Sequence, residues 1–233
     1  MLRLRSRPLQ HLFPSASTRV NFGCGQTPVS GWRNFDNSPC VKLARVPVLA
    51  RLLCRLGMLQ TSQLEFVECA RRHGIEYADA RRRFSIPSGS VEVFYSSHML
   101  EHLCRHEAAS FLSEVRRVLR PGGILRLAVP DLRRLIECYV ATEDADRLVI
   151  ETELAQYQFR GFRKRLEFVL IGGRGHHWMY DGKTLCRLVA GSGFVRASVV
   201  PPGQTRIPHP EPLDLGERVE NSVYVEAEKE GTL

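Results

Sequence analysis

The order in which short apolar runs, polar or glycine breaks and stretches of helical period follow one another is what most constrains this chain. Thr18-Arg19-Val20-Asn21-Phe22 is strand-like and stops at Gly23-Cys24-Gly25. Gly31-Trp32-Arg33-Asn34-Phe35-Asp36 reads as a second strand and Ile75-Glu76-Tyr77-Ala78-Asp79 as a third. Val91-Glu92-Val93-Phe94-Tyr95-Ser96 is a fourth, with the apolar and β-branched mixture of a strand buried on both faces. Ala108 to Leu119 carries Phe111, Leu112, Val115, Val118 and Leu119 on one helical stripe, ended by Pro121-Gly122-Gly123. Ile124 to Val129 is a fifth strand, and Lys183 to Ala190 a helix with Asp181 as its N-cap. Val195 to Val200 and Val223 to Ala227 close the pattern as strands. Strands alternating with helices predict an α/β fold, a mostly parallel sheet with helices on both faces.

With 233 residues, one domain is expected over 19–233, preceded by a basic, flexible tail over 1–18. Two helical insertions are expected. One, over 40–73, is Arg-rich and amphipathic; it reads as a helix with a solvated basic face, or else as a lid or interfacial helix. The other, over 132–180, is broken by Gly161 and Gly172-Gly173. The Pro-rich stretch 201–217 is too long for a simple connection, and such loops are often functional. A composition with 43% hydrophobic and 25% charged residues excludes a collagen, a coiled coil or a wholly disordered chain.

The formal net charge of +8 favours anionic partners such as nucleic acid, phospholipid or a phosphorylated substrate. No basic stripe is interleaved with stacking aromatics, so a soluble Arg-rich protein fits the charge as well. The seven cysteines are odd in number and form no CxxC pair, which points to free thiols in a reducing compartment, the cytoplasm. No apolar run of about 18 residues exists to make a transmembrane helix.

In a sheet of this kind, ligands bind beyond the carboxyl ends of the strands. Gly23-Cys24-Gly25, Asp36, Asp79 and Ser96-Ser97-His98 all fall at such ends. Gly23 and Gly25 remove Cβ where the chain must turn sharply and approach a ligand. GxGxxG is absent, as is GxxxxGK[ST], which argues against a phosphate-cradling nucleotide site. Asp36 can accept from both hydroxyls of a ribose, although it follows Gly25 so soon that the first crossover helix must shrink to a turn. Asp79 can accept from an adenine amino group, or simply cap its own loop.

Val20-Asn21-Phe22-Gly23-Cys24-Gly25, Gly31 to Asp36, Ser96-Ser97-His98-Met99-Leu100-Glu101-His102-Leu103, Glu114 to Gly123 and Ala128-Val129-Pro130-Asp131 together resemble the class I S-adenosylmethionine-dependent methyltransferases. The closest resemblance is to the bacterial group with a GCG…GWxNxD opening and an SHxLEH motif, and it covers roughly residues 20 to 230. It implies a Rossmann-like seven-stranded sheet with a reversed last strand. It places Gly23, Cys24 and Gly25 along the methionine part of the cofactor, Asp36 on the ribose and Asp79 by the adenine. Ser96 and Ser97 then line the methyl-donor side.

If a helix starts near Ser97, His98, Glu101 and His102 share one of its faces. They form a divalent-metal set, to which His176 or His177 can add a ligand. A similar cluster binds metal in small-RNA 2′-O-methyltransferases and some ubiquinone-pathway O-methyltransferases, whereas metal-free relatives use this helix start to pack beneath the cofactor. Without metal, His98 is the expected general base, with His176 or His177 next. The expected activity is O-methylation of a small-molecule or glycan-type acceptor. An RNA methyltransferase and a non-catalytic binding partner are the alternatives. Arg160, Arg163, Lys164 and Arg165 are either contacts for an anionic acceptor or a solvated helix face.

Overall fold

The computed structural model describes residues 18–154 and 175–231. The chain runs β1 (Thr18–Phe22), β2 (Arg33–Asp36), α1 (Pro39–Leu43), α2 (Pro47–Arg55), α3 (Thr61–His73), β3 (Glu76–Tyr77) and β4 (Val91–Ser97). A 3-10 turn (Leu100–His102) and α4 (Arg105–Val118) lead into β5 (Leu119–Pro130), α5 (Leu132–Thr142) and α6 (Ala145–Glu151). Then come α7 (Gly182–Gly191), β6 (Phe194–Val200) and β7 (Ser222–Lys229). The seven strands lie in the order β3-β2-β1-β4-β5-β7-β6. Pairing is parallel from β3 to β5, and β7 is antiparallel to both neighbours, as the resemblance implies. The strand order reverses between β1 and β4, so a crevice opens at their carboxyl ends.

Parallel neighbours normally need a crossover of a dozen or more residues. Residues 23–32 join β1 to β2 without a helix, and two buried asparagines make that possible. Asn34 Oδ1 accepts from the Val29 N–H (2.8 Å) and from Asn21 Nδ2 (3.1 Å), while its Nδ2 donates to the Val29 and Trp32 carbonyls. One amide thus satisfies the backbone groups that a helix would otherwise pair.

The expected insertion at 40–73 is three helices rather than one. Pro47 opens α2, and Gly57, at φ +67°, turns the chain towards α3. The stretch expected to be helical from 132 breaks at Glu143, which takes a left-handed conformation between α5 and α6. Residues 155–174, with Gly161, Gly172, Gly173 and the Arg160 to Arg165 cluster, lie outside the described residues, as does the tail before Thr18.

Alternation along the strands sorts the core. Leu125, Leu127 and Val129 of β5 and Val223, Val225 and Ala227 of β7 pack against α4 and α7, around rings of Phe22, Phe84, Phe94 and Phe111. The opposite face, through Val93, Tyr95 and Ile124, meets Ile207 and Leu213 of the long 201–217 connection. Arg126 and Glu226 also belong to this second face. Both side chains are fully buried, with Arg126 Nη1 at 2.7 Å from Glu226 Oε1. Arg126 donates further to the carbonyls of Gln204 and Leu215, both at 2.9 Å, and Glu226 accepts from Thr205 Oγ1 and the Arg206 N–H. Burial alone would raise the Glu226 pKa; the bonds from Thr205, Arg206 and Arg126 outweigh it and hold the carboxyl below its ordinary value. Arg126→Met should leave that carboxylate buried without its counter-charge and destabilise the protein by about 3–5 kcal/mol. Urea unfolding measures this, and a loss below about 1 kcal/mol would show that the pair does not anchor the loop.

Candidate active site

The crevice beyond β1, β2 and β4 has a volume of about 540 Å³ and is lined by Gly23, Cys24, Gly25, Asp36, Ser97 and His98. Gln63 and Phe66 of α3 form one side, and Glu217 and Arg218 from the end of the long loop form another. Gly23 (φ +75°) and Gly25 (φ +50°) both have backbone that favours glycine. A Cβ on Gly23 would lie 2.8 Å from Met99 Cγ, whereas one on Gly25 would project into open space. The Gly25 N–H donates to Asp36 Oδ2 (3.0 Å), and the Ser38 N–H donates to Asp36 Oδ1 (2.8 Å). Asp36 therefore spans the first glycine loop and the N-terminus of α1. Burial raises its pKa, against the opposing pull of the Ser38, Gly25 and Asn37 N–H groups. The Cys24 thiol is pushed well up by burial and by Asp36, so it stays protonated and is no nucleophile.

The other expected binding residues divide. Ser97 lines the crevice. Ser96 is buried and donates from Oγ to the Phe22 carbonyl (2.8 Å), tying β4 to β1. The crevice lining does not include Asp79, whose carboxylate is held by Arg81 through its N–H, Nε and Nη2 at 2.8 to 3.0 Å. Ala80, the next residue, lines a small cavity together with Gly23 and Asn37.

No helix starts at Ser97. The His98 N–H still donates to the Ala128 carbonyl (2.9 Å), so sheet bonding to β5 continues past the end of β4. His98 then turns at φ +47°, and only a 3-10 turn follows. The turn nevertheless brings His98 Nδ1 to 3.4 Å from Glu101 Oε1, while Nε2 meets Ser222 Oγ at 2.8 Å. Burial drives the His98 pKa down to about 3, so the imidazole is neutral. Glu101 is fully buried, neither of its carboxylate oxygens has a hydrogen bond among the described residues, and burial raises its pKa to about 8.

The segment after residue 174 docks on this turn. The His177 and Trp178 N–H groups both donate to the Glu101 carbonyl. His177 itself is exposed and brings backbone rather than imidazole to the site. His176 is the inward residue. Its Nδ1 lies 2.8 Å from the Thr152 carbonyl, which can only accept, so Nδ1 carries the proton. The Nε2 lone pair then faces Glu101 Oε1 (3.9 Å) and Glu153 Oε2 (3.5 Å). Glu101, His102 and His176 each offer a ligand atom within 4.8 Å of the others. His98, expected in the metal set, is absent from that close group, and His176 stands in its place.

A second cavity, of about 650 Å³, lies on the far side of this cluster and is lined by Glu101, Glu151, Glu153, His176 and Glu220. His98, His102 and Arg218 line both cavities. Arg218 and Glu217 were not legible as site residues; the length of the 201–217 loop was the only sign of them.

Residues 55–127 match a family model described as a methyltransferase domain. The match runs from the end of α2 into β5, and over that segment the chain is similar to this family. A structure described as a SAM-dependent methyltransferase from Methanosarcina mazei is similar over 98% of this chain and 100% of that one, at 16% identity and a TM-score of 0.50. It shares the fold. A methyltransferase bound to the Trm112 activator of Haloferax volcanii aligns at 14% identity, over 93% of this chain and 83% of that one, with a TM-score of 0.49. A possible histamine N-methyltransferase from Thermotoga maritima aligns over 94% of this chain and 84% of that one, at 16% identity and a TM-score of 0.47. No curated protein matches the chain. A methyltransferase domain of this kind implies S-adenosylmethionine as the methyl donor.

Because burial raises the Asp36 pKa, this carboxyl gains its proton at a higher pH than an ordinary aspartate as pH falls. A protonated carboxyl accepts poorly from a diol. Affinity for S-adenosylhomocysteine should therefore be full at neutral pH and fall on acidification before an ordinary aspartate would titrate. Asp36→Asn should bind weakly with a flat pH profile. Calorimetry across pH tests both, and a wild-type affinity that does not change with acidification would remove Asp36 from the ligand contact.

Proposed function

We propose that the protein transfers a methyl group from S-adenosylmethionine to a hydroxyl oxygen of a small-molecule or glycan-type acceptor in the cytoplasm. The observation that carries this reading is the shared wall. One cavity has the glycine loop and Asp36 for the donor, the other is polar and acceptor-sized, and His98, His102 and Arg218 stand between them. A binding partner without catalysis has no need of two cavities joined in this way.

Gly23, Cys24 and Gly25 lie along the methionine part, Asp36 holds the ribose, and Ser97 borders the methyl side. Asp79 acts through Arg81 by fixing the loop that leads to Ala80. When bound, S-adenosylmethionine supplies an electrophilic methyl whose bond to sulfur breaks, with its electron pair, as the bond to the acceptor oxygen forms. The acceptor oxygen becomes strongly acidic as it is methylated, so even a weak base suffices to take its proton. His98 is neutral and stands on the shared wall. Glu101 Oε1 lies 3.4 Å from Nδ1, and Ser222 at Nε2 marks where an acceptor hydroxyl would dock or relay.

Glu151, Glu153 and Glu220 line the acceptor cavity against Arg218, the single cation of that lining among the described residues. That charge suits a neutral polyol and opposes a phosphodiester, which favours this reading over an RNA substrate. Glu101, His102 and His176 also fit a divalent cation. Their lone pairs converge, the Glu101 oxygens lack hydrogen bonds, and the proton on His176 Nδ1 is fixed by a backbone carbonyl, as is usual for a ligating histidine. A cation there would supply Lewis acidity to an acceptor oxygen.

His98→Ala should lower kcat by about 10²–10⁴ while leaving the affinity for S-adenosylhomocysteine unchanged. Full turnover in that variant, measured on a panel of hydroxylated acceptors, would remove His98 as the base. Titration of manganese into chelator-treated protein should show binding that Glu101→Gln abolishes; heat-free titrations in the wild type would leave the cluster without a metal.

A further inference from the structure

Helix α2 has two faces. Ala50, Leu53 and Cys54 point inward, packed with Cys40, Leu59 and Val67 beneath them. The outward face is apolar as well. Val48, Leu52 and Leu56 follow at intervals of four and form one row with Leu49 beside it, and Val48 is 78% and Leu56 60% exposed. Val46 and Met58, at the two ends of the helix, extend the row and are also exposed. Arg51 and Arg55, four residues apart, form the adjoining row, and both are exposed. Lys42 and Arg45 add two exposed cations just before the helix. Between Asp36 and Glu65 the sequence contains no acidic residue.

An outward apolar row with an excess of cations along its flank, on a helix whose other side is already packed, is the pattern of a helix that lies in the plane of a membrane surface. Water disfavours the leucine row, and the local charge selects the partner: Arg51 shares an exposed contact with Glu68 of α3 (3.3 Å), yet cations remain in excess around the row, and an anionic lipid surface attracts them where a neutral apolar partner does not. We propose that α2 docks this protein on an anionic lipid bilayer, with Val48, Leu49, Leu52 and Leu56 in the acyl–headgroup boundary and Arg51 and Arg55 on lipid phosphates. Helix α3, packed on the inward face of α2, supplies Gln63 and Phe66 to the donor crevice.

Co-sedimentation of the full chain with phosphatidylcholine vesicles, with and without phosphatidylglycerol, tests this. Residues 1–17 are also basic, so the deciding comparison is between the wild type and α2 variants. The wild type should bind phosphatidylglycerol vesicles and not pure phosphatidylcholine. Leu52→Glu with Leu56→Glu should weaken binding at least roughly tenfold, as expected for two leucines lost from an apolar boundary. Arg51→Ala with Arg55→Ala should weaken it several-fold, with a shallower dependence on phosphatidylglycerol content. Both variants should keep the wild-type circular dichroism and affinity for S-adenosylhomocysteine, because the altered side chains are exposed and stand outside the crevice. Wild-type binding by the leucine variant, no binding of the wild type to phosphatidylglycerol vesicles, or a dimer that the leucine variant dissociates would each overturn the proposal.

Discussion

The ion pair between Arg126 and Glu226, sealed from water between β5, β7 and the 201–217 loop, is the constraint on which the site depends. A long Pro-rich connection has no internal regularity to hold its shape, and this one is fixed from below. Arg126 takes the carbonyls of Gln204 and Leu215 near its two ends, and Glu226 takes Thr205 and Arg206. Such a pair adds little net stability compared with a well-packed apolar core, but each charge makes the other obligatory, so the loop has one seat. From that seat Glu217 accepts from the Tyr95 hydroxyl (2.8 Å), and Arg218 joins the wall between the two cavities.

A second economy of backbone shapes the crevice beyond β1 and β2. The Asn21 and Asn34 amides replace a crossover helix, and Asp36 bonds both the Gly25 and Ser38 N–H groups. The glycine loop is therefore held close to the end of β2 before any ligand arrives. Preorganisation of this kind lowers the ordering cost of binding.

Much of this was legible in the residues. Alternating strand and helix signals located β1, β4 and α7 to within a residue and α4 and β7 to within three, because each has a clean period and a defined stop. That the glycine loop and Asp36 line one crevice was legible because both end predicted strands. Three features were hidden for physical reasons. The spacing of His98, Glu101 and His102 suggested a helix, but the bond from the His98 N–H to β5 is made by tertiary structure and overrides the local pattern. Arg126 and Glu226 lie 100 residues apart and look like ordinary strand charges until the sheet pairs them. Asp79 ends a predicted strand, but nothing in the local pattern marked Arg81, two residues on, as the partner of its carboxylate.

The central claim is that the donor sits in the crevice of Gly23, Gly25 and Asp36 with its methyl directed at the wall shared with the acceptor cavity. A crystal structure of the protein with S-adenosylhomocysteine tests it most directly. The ribose diol should rest on the Asp36 carboxylate, and the sulfur should face His98, His102 and Arg218. A ligand whose diol lies away from Asp36, or which occupies the Glu-lined cavity instead, would contradict the account.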